Sequence, residues 1–247
     1  MRLGEFCAVI FVSALLLIAQ AGTAHAAGSI SNWDKSARSW NNAHMTKIKA
    51  AMESATYRVD PDSAINDGSL RAQVLIIGEP VTTPTTAEIA KLREFIKAGG
   101  MVMVFGDTGI DLPTYNNLLT GIGSAIQFTT TTIGTTAALV AGPFTQQPSK
   151  ITGNTLSITS GNGTTGGTLI DNNYVRYEVI GNGYVVVFGD RIDHNDVISA
   201  TNTTLLLNLV SEASGPPTSI PALAPALLIL VSLLLGSFAA FRLAGKR

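Results

Sequence analysis

The chain has 247 residues, 46 % of them hydrophobic, with 16 basic side chains against 17 acidic ones and a net charge of −1. That is enough apolar material for one real core, and a near-neutral chain without a basic stripe gives no electrostatic footprint for nucleic acid. The one cysteine, Cys7, falls inside the amino-terminal leader, which excludes cysteine catalysis, disulfides and thiolate metal ligands from the mature chain.

Arg2 supplies a positive start and residues 6–18 form an apolar run too short to span a bilayer well. Ala24-His25-Ala26 then gives the small-x-small pattern of a signal peptidase site. A signal peptide is expected over 1–26, with signal peptidase as a processing partner. The folded domain is expected over 27–213. Its first helical pattern runs over 41–54, with Met45, Ile48, Ala51 and Met52 at three- and four-residue steps. Tyr57-Arg58-Val59 reads as a short strand, and Pro61 and Asn66-Asp67-Gly68 mark the loop after it.

Val74-Leu75-Ile76-Ile77-Gly78 is an uninterrupted apolar run, the pattern of a strand buried on both faces. Thr85 and Glu88 have capping-box spacing and open a helix striped by Ile89, Leu92, Phe95 and Ile96. Gly99-Gly100 ends that helix, and Val102-Met103-Val104-Phe105-Gly106-Asp107 follows as the next strand. Strand, helix and strand make a βαβ unit. The phrase returns as Val185-Val186-Val187-Phe188-Gly189-Asp190. Two such strands, each ending in glycine and a carboxylate, predict two central strands with a shared carboxyl-end rim, where open α/β sheets place their ligand crevice.

Between Asp111 and Asp171 the only charged residue is Lys150, and threonine and glycine dominate. A short helix is expected around Asn116-Asn117-Leu118-Leu119, and strands over 126–133, 155–158, 168–170 and 174–180. Gly161-Asn162-Gly163 and Asn172-Asn173 read as separators. Tyr174, Arg176 and Glu178 alternate with Val175, Tyr177 and Val179, which predicts one wet face and antiparallel pairing. Gly181-Asn182-Gly183 is a tight turn into the second repeated strand. A helix over 202–212 closes the domain, with Leu205, Leu206, Leu209 and Val210 facing inward.

The layout over 73–213 resembles the class I glutamine amidotransferase-like (flavodoxin-like) fold, in the form found in non-catalytic or uncharacterised exported proteins. The residues that carry the likeness are the 74–78 strand, the helix ending Phe95-Ile96-Lys97-Ala98-Gly99-Gly100, the strand reaching Gly106-Asp107, and the 185–190 strand with the helix after it. The resemblance implies an α/β domain with a mostly parallel central sheet, flanking helices and an antiparallel β insertion or extension. It also implies that the turn after the first repeated strand is where catalytic members hold a cysteine nucleophile. Here that turn reads Gly106-Asp107-Thr108-Gly109, so the resemblance implies a chain without amidotransferase activity. No cofactor is expected.

Two local readings of chemistry stay open. Asp190-Arg191-Ile192-Asp193-His194-Asn195-Asp196 gathers three carboxylates and an imidazole. It is read as a polar loop neutralised by Arg191, as a hard-cation site built on Asp190, Asp193 and Asp196, or as an acid–base site in which Asp107, Asp190 and His194 converge. For Asp107 and Asp111 the simplest role is capping backbone donors.

Residues 214–221 have linker composition, and 222–241 run without a charge for long enough to cross a bilayer as a helix. Arg242, Lys246 and Arg247 form a basic tail over 242–247 that should stay cytoplasmic and leave the domain outside. Ile220, Pro221 and Leu223, followed by the apolar span and basic end, resemble the carboxyl-terminal sorting signals of bacterial exosortase systems, the Ile-Pro-Thr-Leu type within the PEP-CTERM group; Ala222 stands where that type has threonine. This implies an exosortase-type sorting enzyme as a partner. The expected location is the outer side of the cytoplasmic membrane, with the domain either anchored or released to the surface after sorting. The functional expectation is a tethered binding or structural module. A rim hydrolase or transferase and a divalent-cation-binding adhesin are the alternatives.

Overall fold

The computed structural model describes residues 28–79, 82–133, 136–146, 155–157, 161–171, 174–192 and 198–213. The expected signal peptide, sorting motif, membrane span and basic tail lie outside them, as do Asp193, His194 and Asp196. Among the described residues no helix is long and apolar enough to cross a membrane.

The chain forms a mixed α/β fold around a seven-stranded sheet. The sheet is built from β1 (Ser29–Asn32), β2 (Arg58–Val59), β3 (Val74–Gly78), β4 (Met101–Phe105), β9 (Thr168–Leu169), β10 (Val175–Ile180) and β11 (Gly183–Phe188), in the order β2-β1-β3-β4-β11-β10-β9. The run from β2 to β11 is parallel. The hairpin β10–β11 and the edge pair β9–β10 are antiparallel. Two small antiparallel pairs stand apart: β5 (Gln127–Ile133) with β8 (Gly161–Thr165), and β6 (Thr136–Ala138) with β7 (Thr155–Ser157).

The period-two geometry of a strand divides the core into two layers. Val74, Ile76, Met101, Met103, Phe105, Val186 and Phe188 face helices α1 (Ala43–Ser54) and α5 (Ala200–Glu212), meeting Met45, Ile48, Met52, Leu205 and Leu209. Leu75, Ile77, Val102, Val104, Val185 and Val187 face α2 (Thr86–Lys97) and α3 (Leu112–Ile122), meeting Leu92, Phe95, Ile96, Leu118 and Leu119. A four-residue helix, α4 (Pro143–Gln146), sits beside α5 and buries Phe144. Strands covered by helices on both faces must read as continuous apolar runs, and β3 and β4 are buried at every position. The two copies of the repeated phrase pair in register, Phe105 opposite Phe188, and the two rings meet edge-to-face at 4.9 Å.

Local chemistry sets the boundaries. Thr85 Oγ1 accepts from the Glu88 amide at 3.2 Å while Glu88 Oε2 accepts from the Thr85 amide at 2.8 Å, a complete capping box at the start of α2.

Several expectations are corrected. β1 was not anticipated, because Ser29-Ile30-Ser31-Asn32 lacks an apolar run; it nonetheless lies buried between β2 and β3. Its polar side chains are met by partners from the loop after β2: Ser31 Oγ lies 3.1 Å from Ser63 Oγ, and Asn32 Nδ2 donates to Asp62 at 2.7 Å. Gly161-Asn162-Gly163, read as a separator, is the start of β8. The helix expected around 116–119 is the longer α3, begun by Asp111 and Pro113 and ended by Gly123 in the left-handed conformation. The wet face expected on β10 is not there. Arg176 donates from Nε to the Thr164 carbonyl at 2.9 Å, and Glu178 accepts from Ser124 Oγ and the Ala125 amide at 2.8 and 2.7 Å. Arg176 thus binds β8 and Glu178 the turn that leads from α3 into β5, while Val179, expected inward, is 57 % exposed.

Candidate functional site

The direction of strand progression reverses at β1. The chain steps from β1 outward to β2, then crosses back to β3 on the opposite side of β1. Ligand crevices of open α/β sheets form beyond the carboxyl ends of strands at such a switch point. Here a cavity of about 340 Å³ opens there, walled by Arg38 after β1, Glu79 after β3, and Asp107, Gly109, Asp111 and Tyr115 after β4.

The loop after β1 is pinned by backbone bonds. The Ala37 amide donates to the Glu79 carbonyl at 2.8 Å, Asn32 Nδ2 donates to the Arg38 carbonyl at 3.0 Å, and Ser36 Oγ accepts from the Gly78 amide at 3.1 Å. Asp62 holds the same loop from behind by accepting from the Trp40 amide. Arg38 is thereby placed across the ends of β3 and β4. Its Nη2 donates to Glu79 Oε1 at 2.8 Å and to Asp107 Oδ2 at 3.2 Å. Arg191, just past β11, reaches Asp107 Oδ2 from the other side at 3.6 Å. The four side chains are each 18–20 % exposed. They line an opening rather than fill the core.

Glu79 has φ 43°, in the left-handed region that non-glycine residues enter at a cost of about 1–3 kcal/mol. Burial raises its carboxyl above the ordinary value of 4.5, Arg38 opposes that rise, and Asp107, within hydrogen-bonding reach, adds to it. Tyr115 donates its hydroxyl to the Phe105 carbonyl at 3.2 Å, and burial together with Glu79 and Asp107 pushes its phenol up.

Asp107 accepts from the Thr108 amide at 2.7 Å, so it caps a backbone donor as well as binding guanidinium. Asp111 stands at the start of α3 but makes no side-chain cap; its Oδ2 accepts from Thr114 Oγ1 at 2.6 Å. Asp190 occupies the position on β11 that matches Asp107 on β4, yet its surroundings differ. It is 2 % exposed and sits beside Tyr174, whose phenol burial and Asp190 together push up to about 12. A Cβ placed on Gly161 would lie 2.6 Å from the Asp190 Cβ, so β8 roofs it. Arg191, expected to neutralise its own loop, extends to Asp107. The glycines of the repeated phrase serve packing: a Cβ on Gly106 would meet the Phe128 ring at 2.6 Å, and one on Gly189 the Asn162 carbonyl at 2.1 Å.

Asp107 was thus legible as a rim residue, whereas Arg38 and Glu79 were not singled out. For Glu79 the only signal in the sequence was its place directly behind the readable strand β3; Arg38 follows β1, which no apolar run announces. Among the described residues no group of three His, Cys, Asp or Glu side chains is placed to hold a metal ion.

No protein-family model matches the sequence, and no curated protein matches it. Solved structures do resemble it. The mmIFT52 N-terminal domain aligns with a TM-score of 0.58 at 13 % identity, covering 75 % of this chain and 96 % of that one. A cytoplasmic protein from Salmonella typhimurium LT2 aligns at 0.56 and 10 % identity, covering 75 % and 99 %. A β-galactosidase from Bacillus circulans sp. alkalophilus aligns at 0.53 and 13 % identity over 77 % of this chain but only 32 % of its own. At these identities the likeness is one of fold alone.

Proposed function

We propose that the chain is an exported, membrane-tethered α/β domain of the glutamine amidotransferase-like kind that works as a binding module at the cell surface and not as an enzyme. The observation that carries this reading is Asp107 held between Arg38 and Arg191. It stands in the turn where the resembled fold keeps its cysteine. Its Oδ2 is engaged by both guanidinium groups and its Oδ1 by the Thr108 amide, so its oxygens are committed to holding the turn rather than offered to a substrate. The leader over 1–26, the apolar segment over 222–241 and the basic Arg242, Lys246 and Arg247 support export and anchoring.

The test is twofold. The full chain should release no ammonia from glutamine above the buffer rate. Expressed in a bacterial host, it should lose residues 1–26 and become accessible to protease added outside the cytoplasmic membrane; a chain confined to the cytosol would remove the reading.

One observation favours a second reading, a hydrolase. Arg38 Nη2 donates to both Glu79 Oε1 at 2.8 Å and Asp107 Oδ2 at 3.2 Å, so the two carboxyls share one guanidinium nitrogen, and Asp107 helps raise the Glu79 carboxyl, as in a proton-sharing acid pair. Turnover of a hydrolysable substrate that disappears in both Glu79→Gln and Asp107→Asn would establish it.

A further inference from the structure

We infer that the rim crevice binds one unit of a small uncharged polyhydroxylated ligand, a single sugar residue or a cyclic polyol. The inference rests on the binding-module reading and names what the module holds.

The cavity, about 340 Å³, lies at the small end of the range of about 300–1,000 Å³ typical of ligand sites. It suits one ring rather than an oligomer. Of its charged groups, Glu79 and Asp107 are already matched by guanidinium groups, and Asp111 accepts from Thr114 Oγ1. Arg38 spans Glu79 and Asp107, and Arg191 closes on Asp107 from beyond. An anionic ligand would have to pull Arg38 off its carboxylates while facing Glu79, Asp107 and Asp111. A cationic ligand would meet the Arg38 guanidinium beside Glu79 and Asp107. A metal ion finds no group of three ligands among the described residues. A hydroxyl, by contrast, both donates and accepts. It can add a bond to a carboxylate oxygen or to a guanidinium N–H and leave every ion pair in place. Bonds to charged partners are the stronger kind, and these groups keep about a fifth of their surface open to receive them.

The walls fit the same ligand. Ala37, Ile110 and Tyr115 supply a modest apolar surface among the polar groups, as the C–H face of a sugar ring requires. Gly109 has φ 77°, and a Cβ there would find nothing within 4 Å, so the backbone on that side meets open space. Glu79 takes its place on the wall at the cost of an unfavourable backbone conformation, the kind of strain that clusters at ligand clamps.

The full chain is titrated with D-glucose, D-galactose and myo-inositol, and separately with sodium phosphate, calcium chloride, putrescine and L-alanine, following saturation-transfer NMR and calorimetry. At least one neutral probe should bind saturably, with a Kd on the order of 1 mM for so few contact atoms, and more tightly than any charged or zwitterionic probe. Arg38→Met should weaken it by about tenfold or more, and Glu79→Gln, which exchanges a charged acceptor for a neutral one, should weaken it by a smaller factor. Ala37→Leu, at an exposed position of the wall, should block binding without touching the core, so the test survives if Arg38→Met fails to fold. Tighter binding of a charged or zwitterionic probe overturns the inference. So does neutral-probe binding that Arg38→Met and Ala37→Leu leave intact, or absence of neutral binding by a chain that melts cooperatively. Absence of binding without turnover leaves the tethered, non-catalytic reading standing. Hydrolysis of nitrophenyl glycosides would remove that reading instead.

Discussion

Arg38 governs the rim because it is shared. Removing it leaves Glu79 and Asp107 facing each other with Arg191 on one side only. Breaking a fully buried pair costs about 3–5 kcal/mol and an exposed one at most about 1 kcal/mol. At 18–20 % exposure, Arg38→Met should fall between, at about 1–3 kcal/mol in urea unfolding. Glu79 makes a prediction of opposite flavour. Its carboxyl is raised by burial, against the pull of Arg38, so the folded state holds its proton more tightly than the unfolded chain does. The stability this residue contributes is therefore full below about pH 4.5 and is lost as pH rises through the higher folded value. Glu79→Gln removes that dependence. Compared at pH 7 and pH 4, the stability of the original chain relative to Glu79→Gln should improve at the acid end. A flat difference would show that the folded carboxyl titrates as it does in the unfolded chain, and one that runs the other way that Arg38 outweighs burial. Neither residue was visible beforehand, for a physical reason. Arg38 follows a strand whose burial is satisfied by Ser31 and Asn32 bonding to Ser63 and Asp62, and hydrogen-bonded burial leaves no hydrophobic pattern to read.

At the scale of elements, what could be read was what periodicity encodes. β3, β4, β11 and α2 came through because an apolar run or stripe has one dominant explanation. The capping box at Thr85 and Glu88 is local chemistry and came through too. β8 did not, since Gly161-Asn162-Gly163 reads as a turn until something demands small residues. The demand is tertiary: a Cβ on Gly161 would approach the Gly189 carbonyl at 2.3 Å. Gly183 is the sharper instance. It opens β11 against the end of α2, and a Cβ there would lie 2.1 Å from the Gly100 carbonyl and 2.2 Å from that of Ile96. Both obstacles are backbone, which side-chain motion cannot relieve. Gly183→Ala should cost about 1–3 kcal/mol or more, read as a fall of roughly 2–12 °C in melting temperature for a domain of this size. Gly109→Ala offers the contrast. Its φ of 77° makes alanine unfavourable, but nothing crowds the site, so the cost should stay near 1 kcal/mol.

At the scale of the whole molecule, the sheet and its two helical layers form a unit that ends with α5. That helix buries Leu205, Leu206, Leu209 and Val210 against β4 and β11, and Ala213 is the last described residue packed in the core. The linker composition of 214–221 begins just there, so the tethered reading proposed above assigns the apolar segment over 222–241 and the basic Arg242, Lys246 and Arg247 to address and not to stability. A chain ending at 213 should therefore melt within about 2 °C of the full chain, yet leave the membrane fraction for the soluble exported fraction. Replacing the three basic residues alone should keep the chain membrane-bound but loosen its orientation, because the excess of Lys and Arg is what holds a tail on the cytoplasmic side. If truncation at 213 lowers the melting temperature by more than about 5 °C, the tail packs on the domain and is more than an anchor. If the truncated chain stays in the membrane fraction, the attachment lies in the domain itself. Mass spectrometry of the full chain's carboxyl terminus then separates the two fates of the tail. An intact Arg247 marks a permanent anchor, and loss of the residues after the Ile220-Pro221 segment marks processing by an exosortase-type enzyme.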